Sequence, residues 1–216
     1  MLLFLTRMSP LANGDRNDKK IYPIHEFLWA LTGLMLTIFG TFMEVFVLIP
    51  SSPNLEEMET VSLGTTYQLV GVFLTGCLGG KNAAIYAQIA YVALGLFKLP
   101  VFYQGGSFEY LQQPSFGYIL GFIPGAWLCG FLVFPGKRSL DVFAISSFLG
   151  LVVIHACGIL YLTLYTYITP LFGTELDSNY LLDAITLYSL SPLMGQMLII
   201  CVVSVLAFMI RLILFY

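Results

Sequence analysis

Long apolar runs separated by short polar segments dominate this sequence. Six runs predict membrane-crossing helices, since a crossing needs about 20 predominantly apolar residues and shorter helices cross where neighbours shelter them. They lie at about 27–49, 65–78, 83–97, 118–134, 142–168 and 184–208. The second and third runs are short, and Gly79 and Gly80 between them predict a tight reversal, because glycine readily adopts positive φ angles.

The most unusual segment is 98–116, which has neither a helical nor a strand period. It is rich in aromatic residues and contains the adjacent glycines Gly105 and Gly106. Solvated loops are seldom so aromatic, and we predict that this segment folds back over a cavity.

Composition points to lipid as the main solvent of this chain. Of its 216 residues, 58% are hydrophobic and 10% are charged, and the mean hydropathy is +0.88. Soluble domains carry about 25% charged residues. We therefore predict an all-α membrane protein, a compact bundle of six transmembrane helices. Residues 23–216 would form the substrate-binding domain and 1–22 a polar cytoplasmic tail. The net charge of −3, with no basic stripe, argues against nucleic acid as a partner.

The distribution of Lys and Arg predicts the orientation, because cytoplasmic loops carry the excess of both. Six spans place eight of the nine basic residues on one side: Arg7, Arg16, Lys19, Lys20, Lys81, Lys137, Arg138 and Arg211. Only Lys98 falls on the opposite side. We expect both termini to be cytoplasmic, in a prokaryotic-type plasma membrane.

Residues that would carry enzyme chemistry are scarce. The cysteines stand singly in apolar runs, which predicts packing rather than a metal or disulfide framework. Within the spans, the ionisable candidates are Glu44, which favours an interfacial position, and His155, which favours hydrogen-bonded packing over ligation. No carboxylate pair, nucleophile elbow or phosphate loop occurs. We expect no enzyme activity, cofactor or metal.

The polar uncharged groups and the aromatic, glycine-rich loop indicate a binder of a small, largely uncharged solute, since such sites are mostly apolar with a few polar groups. A non-transporting membrane scaffold or assembly factor is the alternative from another class. Retention of a small molecule by the purified protein would distinguish a binder from a scaffold.

Several spaced motifs resemble the BioY family, the biotin-capturing S components of energy-coupling factor (ECF) transporters. They are Thr66-Tyr67-Gln68, Gly79-Gly80 before a helix with Tyr91, Leu99-Pro100-Val101-Phe102, Gly105-Gly106, Pro114-Ser115-Phe116-Gly117-Tyr118 and Gly121-Phe122. The resemblance is strong over about 61–134 and weak in the last two helices. It implies capture of biotin at the outer face and its uptake. The alternative within transport is the same fold serving another vitamin-like solute.

The resemblance also implies a set of substrate-binding residues. The candidates are Gln68, Tyr91, Gly105, Gly106, Ser115, Phe116, Tyr118 and Gln196. The Gln68 amide would pair with the ureido ring, the aromatic side chains would pack on the fused rings, and the glycines would admit the ligand. The other interpretation of Tyr91 and Tyr118 is packing within the bundle with the hydroxyl hydrogen-bonded. The other interpretation of Gly105 and Gly106 is an ordinary turn.

Two departures from the family pattern stand out. Gln196 and Ile199 occupy positions where the family has an Asp and a Lys that help hold the ligand. The missing cation would be replaced by Lys98 or by backbone amides of 103–107. The first helix carries Gly33, Thr37 and Thr41 where the family has small residues facing the coupling subunit. The implied partners are that subunit and ATPase subunits, as this sequence has no nucleotide-binding loop.

Overall fold

The structure is a computed structural model, and it describes residues 23–50, 58–136, 139–172, 177 and 179–214. The tail predicted at 1–22 lies outside the described residues. Most of the described chain is helical.

The helices are α1 (Pro23–Thr41), α2 (Gln68–Leu96), α3 (Phe116–Val133), α4 (Leu140–Ile168), α5 (Tyr180–Ile185) and α6 (Leu193–Leu214). The strands are β1 (Glu44–Pro50) and β2 (Met58–Thr66). Short 3-10 turns span Phe108–Gln112 and Thr169–Phe172, and a π-helical turn, Thr186–Leu190, joins α5 to α6.

Among the described residues, five helical stretches are long and apolar enough to cross a membrane: Pro23–Thr41, Gln68–Leu96, Phe116–Val133, Leu140–Ile168 and Tyr180–Leu214. The last three agree with the predicted runs at 118–134, 142–168 and 184–208 to within a few residues. The prediction of a helical membrane protein with several crossings is confirmed at this level.

The prediction of one helix over 27–49 is wrong beyond Thr41. α1 ends there, and the apolar segment that follows forms β1, which pairs antiparallel with β2 from Glu44↔Thr66 to Pro50↔Met58. Val45 is buried while most of β1 is exposed, so the strand packs against the helices mainly through the Val45 side chain. β2 begins at Met58, and residues 51–57 lie outside the described part.

The chain reverses inside α2 at Gly80. Gln68 Nε2 lies 2.7 Å from Tyr91 OH, although 23 residues separate them. In a straight helix rising about 1.5 Å per residue they would be about 34 Å apart. Gly80 breaks the helix with φ 81° and ψ 179°, so its two arms run antiparallel. The tight reversal predicted at 79–82 is confirmed.

Gly80→Ala is expected to destabilise the protein by about 1–3 kcal/mol, because that φ/ψ region is almost restricted to glycine. At about 2–4 °C per kcal/mol, the melting temperature in detergent should fall by roughly 2–12 °C. Lys81→Ala, a change at the exposed neighbouring position, is the control. Equal melting temperatures for the two variants would contradict this role of Gly80.

Small residues bring α1 against the first arm of α2. A Cβ on Gly33 would lie 2.0 Å from Thr75 Oγ1, and a Cβ on Gly71 would lie 2.4 Å from the backbone N of Thr37. Gly33, Thr37 and Thr41 are all buried in this contact. The predicted close helix contact of these three residues is therefore made with α2 of the same chain.

Candidate functional site

A cavity of about 310 Å³ lies where β1, β2 and the first turns of α2, α3 and α6 meet. Its volume falls at the lower end of the range of small-molecule sites. The lining residues are Glu44, Gly64, Thr65, Thr66, Gln68, Leu69, Tyr103, Gln104, Tyr110, Ser115, Tyr118, Ile119, Phe122, Ile154, Leu187, Tyr188, Pro192 and Gln196. Of the residues predicted to bind substrate, Gln68, Ser115, Tyr118 and Gln196 are in this wall.

The Gln68 amide has a defined direction. Tyr91 OH donates to Val101 O at 3.1 Å, and Thr41 Oγ1 donates to Thr37 O. The Tyr91 hydroxyl therefore accepts from Gln68 Nε2 at 2.7 Å. Gln68 lines the cavity, and its Oε1 has no partner among the described residues. Gln68 thus presents a hydrogen-bond acceptor to a ligand.

Tyr91 lies behind the cavity wall. Its side chain is fully buried, and its ring meets Phe102 edge to face at 5.3 Å. The hydroxyl contacts Gln68, Thr41 and the Val101 carbonyl. Tyr91 therefore acts on a ligand only by fixing the Gln68 side chain.

A hydrogen-bonded chain of four side chains begins and ends at residues of the wall, Tyr118 and Gln196. Tyr118 OH lies 2.6 Å from Ser189 Oγ, and Ser189 Oγ lies 3.1 Å from His155 Nδ1. His155 Nε2 lies 2.8 Å from Gln196 Oε1. Among these, Ser189 was missed by sequence reasoning, since a serine in an apolar segment carries no signal of its own. The expectation of a hydrogen-bonded His155 is confirmed.

The direction of this chain follows from its two ends. Gln196 Oε1 is an acceptor, so His155 donates from Nε2, and in the tautomer with its proton on that nitrogen Nδ1 accepts from Ser189. Tyr118 OH then donates to Ser189 Oγ. Gln196 Nε2 has no partner among the described residues, and the residue lines the cavity. Gln196 therefore presents a hydrogen-bond donor, in contrast to the acceptor of Gln68.

A tight turn at the start of the aromatic loop contributes Tyr103 and Gln104. Phe102 and Gly105 exchange two backbone hydrogen bonds of 3.1 and 3.0 Å, and the two residues between them line the cavity. Gly105 has φ +101°, and a Cβ on Gly106 would lie 1.8 Å from Leu99 O. The glycines build the turn and do not line the cavity. Sequence reasoning selected them and missed the two residues at the tip.

Phe116 supports the wall from behind. It is 1% exposed and packs against Phe102, Tyr110 and Tyr161 at ring distances of 6.0–6.5 Å. Tyr110 and Ser115 reach the cavity itself. Burial raises the pKa of the Tyr110 phenol, so it stays protonated and neutral near pH 7. The predicted fold-back of 98–116 over a cavity thus agrees with the structure.

Charge is almost absent from the cavity. Among the lining residues, Glu44 is the sole charged one, and its Oε1 accepts from Ser62 Oγ at 2.8 Å. Lys98 is exposed and does not line the cavity. Ile199 is 2% exposed and belongs to the apolar core. The wall therefore holds a ligand with neutral groups.

Metal-binding groups do not gather here. In the part of the chain that the structure describes, no cluster of three His, Cys, Asp or Glu side chains occurs. Cys77 and Cys129 lie side by side in the core with their sulfurs 3.6 Å apart, away from the cavity.

Apolar helices enclosing a small, mostly neutral cavity near one end define a multi-pass membrane protein that binds a small molecule. The model of the BioY family matches residues 16–214. The chain belongs to the BioY family.

Relatives and a solved structure agree with this assignment. An uncharacterised 21.2 kDa protein of Cyanophora paradoxa is 32% identical over 184 residues, 85% of this chain and 93% of that protein. The probable biotin transporter BioY of Lysinibacillus sphaericus is 40% identical over 101 residues, 45% of this chain and 50% of the transporter. The biotin transporter BioY of Thermotoga maritima is 38% identical over 104 residues, 47% of this chain and 60% of that protein.

The crystal structure of the S component for biotin from an ECF-type ABC transporter has the same fold. It superposes with a TM-score of 0.59 at 19% identity, over 92% of this chain and 95% of that chain. The expected family is confirmed. Because BioY proteins are transporter S components, the prediction that the chain is not an enzyme is confirmed as well.

Proposed function

We propose that this protein captures biotin in the cavity and mediates its uptake across the membrane. The observation that carries the proposal is the position of two amide side chains in the cavity of a BioY-family chain. Gln68 presents an acceptor and Gln196 a donor within a wall that is mostly apolar and aromatic. A cavity of about 310 Å³ suits a single small ligand.

The wall offers complementary chemistry for the fused ring system of biotin. The ureido N–H groups would donate to Gln68 Oε1, which has no other partner among the described residues. The fused rings would pack between aromatic and aliphatic side chains such as Tyr118, Phe122 and Ile154. Ser115 and Tyr103 lie within the same wall and would close around the ligand. The eight residues predicted to bind substrate thus have one of two roles: they line the cavity, or they hold in place the residues that line it.

The membrane topology follows the same proposal: six crossings, both termini cytoplasmic, and the cavity open to the outside of a prokaryotic-type plasma membrane. The antiparallel arms of α2 provide two of the six crossings. Lys81 lies over the Phe131 ring and Arg211 over the Phe134 ring, at the end of α3 remote from the cavity. This placement supports a cytoplasmic position for that end, since positive charge favours the cytoplasmic side.

Uptake would need partners that supply energy. The solved S component comes from an ECF-type ABC transporter. By analogy, we propose an ECF transmembrane coupling subunit and ATPase subunits as partners, besides the lipid bilayer. α1 meets α2 through Gly33 and Thr37, so the coupling subunit would have to bind a different surface.

Calorimetry of the full chain purified in detergent tests the proposal directly. We expect one biotin bound per chain with a Kd at or below about 1 μM, or about −8 kcal/mol. Other vitamins serve as controls and should give no heat. A folded sample that binds another vitamin in place of biotin would contradict the substrate, and one that binds none would favour a scaffold.

A further inference from the structure

The cavity wall lacks positive charge among the described residues that line it. Glu44 lines the cavity, and no Lys or Arg is among the lining residues. Lys98 is exposed and outside the wall. The electrostatic environment of a ligand here is therefore neutral to negative.

The hydrogen-bonding groups that remain for the ligand are neutral. Gln196 offers an amide N–H, because His155 already occupies its oxygen. Both His155 ring nitrogens contact neutral groups, the Ser189 hydroxyl and the Gln196 amide. Tyr118 OH is engaged by Ser189. The wall thus provides dipoles and no counter-ion.

This set of neutral and negative groups disfavours the binding of a ligand that carries a free carboxylate. Transfer of an ion from water into a partly enclosed, mostly apolar cavity is costly when no opposite charge compensates it. Glu44, an exposed carboxylate at the start of β1, adds repulsion between like charges, which is strongest at low salt. A carboxamide forms hydrogen bonds with the same neutral groups and avoids both penalties.

We propose that the site prefers biotin carboxamides, in which the tail carries no charge, over free biotin. The inference rests on the proposed function, because it specifies the form of biotin that the same cavity accepts. Glu44 is then a specificity-determining residue that acts against the anionic tail.

Calorimetry with biotin and biotinamide on the full chain in detergent tests this preference. We expect biotinamide to bind about 3- to 10-fold more tightly than biotin at low salt. Glu44→Gln keeps an acceptor for Ser62 and removes the charge, so it should raise biotin affinity relative to biotinamide by a similar factor. Glu59→Gln removes an exposed β2 carboxylate that does not line the cavity and should leave the ratio unchanged.

The outcomes separate the inference from the proposed function. If biotin binds as tightly as biotinamide or more tightly, the inference is wrong while the biotin function stands. If neither ligand binds a folded sample, the proposed function itself is wrong. An unchanged ratio in Glu44→Gln would remove Glu44 from the explanation. A Lys98→Ala variant that loses affinity for biotin alone would identify Lys98 as a carboxylate partner and overturn the inference.

Discussion

Gln68→Ala is expected to weaken biotin binding about 10- to 100-fold. The substitution removes the acceptor that faces the cavity and leaves a ligand N–H without a partner, which costs about 1–3 kcal/mol. Each 1.4 kcal/mol corresponds to about tenfold in Kd. Calorimetry of the purified variant measures the change.

The control is Gln112→Ala, which removes the same side chain from the exposed 3-10 turn outside the cavity. Tyr91 keeps its hydrogen bond to Val101 O in the Gln68 variant, so the fold should survive the substitution. A melting temperature close to that of the parent would show this. Biotin affinity within twofold of the parent would contradict the role of Gln68.

The helices that were predicted well are those with clear ends in the sequence. α4 follows a Pro-Gly-Lys-Arg segment and continues through a long apolar run, and the predicted start at 142 is two residues from Leu140. β1 was missed because residues 42–50 continue the apolar run of α1, with Glu44 as the one charged interruption. Its Val, Phe and Ile residues suit a strand, but a short apolar segment cannot be assigned from periodicity alone.

The residues of the candidate site also divide into those that the sequence predicted and those that it did not. Gln68 and Tyr118 were found because they begin helices in motifs that resemble a known family. Gln104 was missed because a loop turn carries it into the wall, and the turn depends on the close approach of Gly106 to Leu99 O. The contact between His155 and Ser189, 34 residues apart, depends on the register of the π-helical turn. No local sequence pattern determines that register.

The small-residue face of α1 shows a different limit. Gly33, Thr37 and Thr41 at four-residue spacing indicate close helix contact. The pattern cannot say whether the neighbour is another subunit or the same chain. Here the neighbour is α2, because Gly71 and Thr75 provide the matching small surface. Complementary pairs of small residues on two helices of one chain are the signal that would have resolved this.

Gly71→Leu is expected to lower the free energy of unfolding by about 3 kcal/mol or more. A Cβ there would lie 2.4 Å from the backbone N of Thr37 and 2.7 Å from its Cα. Overpacking costs about 1–3 kcal/mol where side chains can adjust, and the opposing backbone cannot move without displacing α1. At about 2–4 °C per kcal/mol, the melting temperature should fall by at least roughly 6–12 °C.

Ala156→Leu is the matched control, since it adds a leucine at an exposed position of α4. Its melting temperature should stay close to that of the parent, because the new side chain meets lipid or detergent. Gly33→Leu should behave like Gly71→Leu, since a Cβ there would lie 2.0 Å from Thr75 Oγ1 in the same contact. If Gly71→Leu were as stable as Ala156→Leu, α1 would not be held against α2 through this contact, and its small-residue face would again be open to a partner subunit.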